Sequence, residues 1–181
     1  MATTVTQTEV DPTLLRLNKM SGVYLDGTFS NLAESIRHIR ARTREQITTK
    51  MKENAEDMIN VPPLNNTSSK LSQILIFTLD RGTWCRPVPF LDSRIHKLFD
   101  GDWAVRMSEQ NLITGVSKNL KRANIESELS ALRDIGLIHR YTMDHNEAHS
   151  GTEMVELTLL GVQTAKLLKA DKERLDDLKR K

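Results

Sequence analysis

The sequence predicts a mainly α chain carrying one small β-hairpin, on two observations. Apolar residues recur at intervals of three and four over long stretches, which is the period of a helix with one buried face. Alternation suited to strands occurs at residues 137–142 and 154–157, and the polar stretch 144–151 between them is rich in turn formers, the pattern of a hairpin.

The elements follow in order. Residues 1–29 read as a flexible lead with one short helix over 12–19, opened by Asp11 as cap and Pro12 at the first helical position. Residues 30–61 read as a long amphipathic helix, with Leu32, Ile36, Ile39, Ile47, Met51 and Met58 on a stripe whose gaps Thr43 and Ala55 fill. A helix this long with one apolar stripe cannot bury itself alone, so Leu32, Ile36, Ile39, Ile47 and Met51 are the candidate residues of a homodimer interface. Residues 61–69 (VPPLNNTSS) form the linker, and 71–80 a short buried helix capped by Ser68 or Ser69. Residues 81–89 read as irregular and 91–99 as a weaker helix, with Trp84 and Trp103 as core anchors.

Ser108 precedes a short helix over 109–114, then a Gly115-Val116-Ser117 turn. A second helix over 119–135 turns Leu120, Ile125, Leu129, Leu132 and Ile135 inward. Gly136 ends it, since glycine tolerates the left-handed backbone at a helix terminus. Thr158 caps a last helix, whose end, 166–181, reads as a tail.

Composition narrows the function classes. The chain has 181 residues, 4% of them aromatic, and a net charge of +2, so overall charge does not mark a nucleic-acid binder. Basic residues cluster locally instead, at Arg37, Arg40, Arg42, Arg44, Lys50 and Lys52, and at Lys118, Lys121 and Arg122. No apolar run approaches the roughly 20 residues of a membrane helix, and the Thr-rich start lacks the order of a signal peptide. A single cysteine, Cys85, excludes an internal disulfide and suits a reducing cytoplasm. Cys85 has no evident base partner, and no P-loop, nucleotide-binding glycine pattern or paired-carboxylate motif is present. His145 and His149 are four residues apart on a loop, too few and too loosely held for a metal. The expectation is a protein that is not an enzyme and holds no cofactor or metal.

The strings ELSALRDIGLIHRY and VELTLLGVQTAKLL resemble the second helix, wing and following helix of winged helix-turn-helix proteins, the MarR- and PadR-like regulators in particular. The match rests on Leu129, Leu132 and Gly136-Leu137-Ile138, and on Leu157, Thr158 and Gly161. It implies a winged helix domain over 67–165 behind the long N-terminal helix, with residues 82–107 inserted where the family has a shorter connection. It also implies duplex DNA as the partner, a homodimer built on long flanking helices, and room for a small-molecule effector.

A helix laid in the major groove needs one apolar face for its own domain and one polar face for phosphates and base edges. Lys118, Asn119, Lys121, Arg122, Asn124 and Ser127 lie at the leading end of the 119–135 helix, and Arg140, His145 and Asn146 lie on the wing. Asn can read adenine, Arg can read guanine and Lys neutralises phosphate. The same basic residues also suit a solvated helix start. Two functional readings stand: a sequence-specific DNA binder, whether a transcription regulator or a centromere-binding adaptor for plasmid or chromosome segregation, and a winged helix that binds protein alone.

Overall fold

A computed structural model of the chain describes residues 32–87, 99, 101–116, 122–143 and 151–180. By its internal contacts the chain divides into residues 1–49 and residues 50–181, and the division falls inside the predicted long helix. That helix, α1, spans Leu32–Ile59 without a break. Along it Thr43 and Ala55 are buried, while Ile47, Met51 and Met58 are half-buried. Leu32, Ile36 and Ile39 belong to α1. Met58 and Ile59 pack on the core of the 50–181 unit.

In that unit α2 spans Lys70–Arg81, and Ser69 is its cap, the hydroxyl accepting the Ser72 amide hydrogen at 3.2 Å. Two strands then form where the sequence predicted none, β1 (Thr83–Cys85) and β2 (Ala104–Ser108), paired antiparallel. The 82–107 stretch is therefore not a plain insertion between helices; its two ends build part of the sheet. Helices α3 (Glu109–Val116) and α4 (Arg122–Asp134) follow, then the hairpin strands β3 (Ile138–Thr142) and β4 (Glu153–Leu157), and finally α5 (Leu159–Lys179). The sheet order is β1-β2-β4-β3, all neighbours antiparallel, so β4 returns between β2 and β3. Among the described residues this makes five helices and one small four-stranded sheet.

One row of the sheet shows how it packs. Val105, Leu157 and Ile138 stand side by side on three strands, and each is almost fully buried. They meet Ile74 and Leu75 of α2, Leu112 of α3, Ile125, Leu129 and Leu132 of α4, and Val162 and Leu168 of α5. Removing each such side chain from water contributes about 1.5–3 kcal/mol, so this one cluster supplies most of the driving force for the unit.

Three expectations are corrected. The predicted Gly115-Val116 turn is helical, because α3 runs through both residues. Ile135, assigned to the inward face of the 119–135 helix, is 42% exposed, since the helix ends at Asp134 and the chain leaves the apolar stripe there. Trp84 is no core anchor: it is 43% exposed, with the Lys166 ammonium 5.6 Å from its ring centre. The expected C-terminal helix tail is helical through Lys179 and continuous with the residues from Leu159 onward. Trp103 is half-buried against Phe99, ring centres 5.8 Å apart. The predicted lead and short helix in 1–29 and the 91–99 helix up to residue 98 lie outside the described residues.

Candidate nucleic-acid interface

The α3–α4 pair is held by features that the sequence carries locally. Ser108 opens α3, its hydroxyl accepting the Asn111 amide hydrogen at 3.2 Å. Gly115 lets α3 lie against α2, because a Cβ at that position would strike the Phe77 ring. At the other end of α4, Gly136 takes φ +80°. Its amide donates to the Arg133 carbonyl at 3.0 Å, and the Leu137 amide donates to the Leu132 carbonyl at 3.0 Å, the paired bonds of a Schellman terminus.

The Leu-Thr-x-x-Gly motif joins α4, β3 and α5 at a single point. The Thr158 hydroxyl accepts the Gly161 amide hydrogen at 2.9 Å, capping α5, and donates to the Gly136 carbonyl at 2.7 Å. The Thr158 amide donates to the Leu137 carbonyl at 3.1 Å. Gly161 is required there because a Cβ would run into that same carbonyl oxygen. One threonine and one glycine thus fix the end of α4 relative to the start of α5.

A third device is an arginine held between two acids. Arg140 of β3 donates from Nη2 to Glu109 Oε1 at 2.9 Å and from Nε to Glu109 Oε2 at 3.3 Å. On its other side Nη1 reaches Glu126 Oε1 at 2.7 Å and Nη2 reaches Glu126 Oε2 at 3.0 Å. Four of the five guanidinium N–H groups are thereby committed to carboxylates, two bidentate pairs back to back. The Arg140 and Glu109 side chains are 18% and 13% exposed, whereas Glu126 is 60% exposed. The Arg140 hydrogen bond, more than any other influence, holds the Glu126 carboxyl below its ordinary range, and Glu126 in return raises the Arg140 guanidinium. Arg140, expected as a DNA contact on the hairpin, ties β3 to the first turn of α3 and to the second turn of α4. Nothing near Arg140 in sequence signals this, since Glu109 and Glu126 lie 31 and 14 residues away. The fit of an acid to the first turn of α3 is the only local hint.

The other predicted site residues distribute as follows. Ser127 is exposed on α4, and Arg122 and Asn124 belong to the same helix. Lys118, Asn119, Lys121, His145 and Asn146 lie outside the described residues, as does His149. Along α4 itself the acids Glu126, Glu128 and Asp134 outnumber the bases Arg122 and Arg133. Among the described residues no group of His, Cys, Asp and Glu is placed to hold a metal ion, and no helix is long and apolar enough to cross a membrane.

Away from this face the sheet carries a buried carboxylate that sequence reading missed. Glu156 of β4 is 1% exposed and accepts a hydrogen bond from the Tyr141 hydroxyl at 2.9 Å, with Arg106 and His139 as its neighbours on the flanking strands. Burial first, and the Glu156 charge second, raise the Tyr141 phenol; the same two causes push the Cys85 thiol up to about 11. An open groove of about 370 Å³ lies elsewhere, lined by Ser68, Gln73, Phe77, Asp80, Gly115 and Lys172. Asp80 is engaged by Lys169 at 2.6 Å, an exposed pair.

No protein-family model, no curated protein and no solved structure matches the chain.

Proposed function

We propose that residues 67–165 are a winged helix-turn-helix domain that binds duplex DNA sequence-specifically, with the chain acting as a homodimeric regulator in the cytoplasm. One observation carries this reading: the order helix, two strands, helix, helix, hairpin, helix, in which β4 lies between β2 and β3 beside the α3–α4 pair. In that order α4 is the groove-entering helix and the β3–β4 hairpin is the wing. Ile125, Leu129 and Leu132 brace α4 from behind, leaving Ser127 and the residues leading into the helix for the duplex. Lys118, Lys121 and Arg122 supply phosphate contacts, with Asn119 and Asn124 at base edges. The wing contributes His145 and Asn146. Two copies joined through the α1 stripe present two such helices about 34 Å apart, one turn of duplex.

A salt titration tests the reading. Affinity for duplex falls steeply as salt rises if Lys and Arg displace counterions, with a log–log slope near −0.9 per phosphate contact. A flat dependence, or no retention of duplex at low salt, overturns it. The acids on α4 favour a second reading, a winged helix that docks on protein; binding that does not depend on salt and needs no DNA would support that one.

A further inference from the structure

We infer that Glu126 is a specificity residue, its carboxylate accepting a hydrogen bond from the exocyclic amino group of a cytosine in the major groove. The inference rests on α4 being the groove-entering helix. Glu126 stands one turn inside α4, four residues after Arg122, in the part of such a helix that reaches base edges. An acid in that position is costly against a polyanion, and mixed solvated surface would place its side chain anywhere. Here it is fixed. Both oxygens receive Arg140, at 2.7 and 3.0 Å, which holds the carboxylate in one orientation, while 60% of the side chain stays open to solvent.

Each carboxylate oxygen has a second lone-pair position that the guanidinium does not fill, so acceptor capacity remains on the outward side. The charge count points the same way. Glu109 and Glu126 carry two negative charges against the single positive charge of Arg140, and of the two acids Glu126 is the one largely open to solvent. The net negative charge of the three groups therefore faces solvent through Glu126. A phosphate would be repelled there, and so would the acceptor atoms of guanine. The cytosine N4 amino group is the donor that a glutamate reads. Ser127, exposed beside it, adds no bulk that would hold the helix off the groove.

The experiment is selection of duplexes from a randomised pool by the full-length chain, followed by sequencing, for the parent, Glu126→Gln and Glu126→Ala. The parent should enrich cytosine over the other bases by about tenfold at one position of each half-site. In E126Q that position should shift toward adenine, whose N6 and N7 a glutamine amide matches, with the other positions unchanged. E126A should lose the preference there and bind random duplex more tightly than the parent, because a repulsive charge is gone. The amide oxygen of E126Q still accepts from Arg140, and melting curves matching the parent identify variants that keep the fold. A parent that selects a sequence which both variants also select overturns the role of Glu126 and leaves the DNA-binding reading standing, as does a parent preference for adenine at the affected position. A parent that retains no duplex overturns both.

Discussion

Replacing Thr158 with valine removes one hydroxyl and keeps the shape of the side chain, so the energetic consequence can be built from two bonds. The hydroxyl accepts the Gly161 amide hydrogen, the capping bond of α5, and Gly161 is buried where water does not replace that acceptor. Losing such a cap costs about 1 kcal/mol. The hydroxyl also donates to the Gly136 carbonyl, but Gly136 is exposed, so water takes over and the loss is at the low end, about 0.5–1 kcal/mol. The sum is about 1.5–2 kcal/mol, which for a unit of this size lowers the melting temperature by roughly 5–10 °C. Thermal melting followed by far-ultraviolet circular dichroism measures it, with Thr158→Ser as control because serine keeps both bonds and loses only a methyl group. A T158V protein melting within about 2 °C of the parent would refute the junction role assigned to this residue, and so would T158S falling as far as T158V.

Other outcomes follow from the same structure. Arg140→Met should destabilise the 50–181 unit by about 2 kcal/mol, less than a fully buried pair would because Glu126 is open to solvent, and urea denaturation reads it. Since Arg140 holds the folded-state Glu126 carboxyl below 4.5, its contribution is present above that pH and fades as pH falls through the depressed value; the stability of R140M should therefore decline less than the parent's below pH 4.5. Cys85, with its thiol raised from 9.0 to about 11, should react with a thiolate-selective reagent at pH 8 about a hundredfold more slowly in the folded chain than after denaturation. A double Ile36→Asp/Ile39→Asp change should convert the proposed dimer to monomers in sedimentation, and a persisting dimer would discard the α1 stripe as its interface.

Elements whose cause is local could be read directly from the sequence. Ser69 ahead of an apolar run, Gly136 after Leu129 and Leu132, and Thr158 three residues before Gly161 each act within one turn of chain, and each falls where the sequence puts it. Features that depend on distant partners were not legible. Strand β2 is five residues, AVRMS, whose alternation over four residues is too short to stand out; it becomes a strand by pairing with β1 and with β4 nearly 50 residues later. β1 is three residues and depends on β2 in turn. The ion pairs of Arg140 have no local sign, because its two acids come from other helices. Glu156 sits in a strand flanked by apolar residues, and no local pattern distinguishes a buried glutamate from an exposed one.

The most direct test of the central claim is protection of guanine N7 in the major groove from dimethyl sulfate by the full-length chain, on duplexes recovered by selection. Entry of α4 into the groove predicts protected guanines in two successive major grooves on one side of the duplex, about 10 base pairs apart. Full occupancy with every guanine N7 as reactive as in free DNA would contradict it.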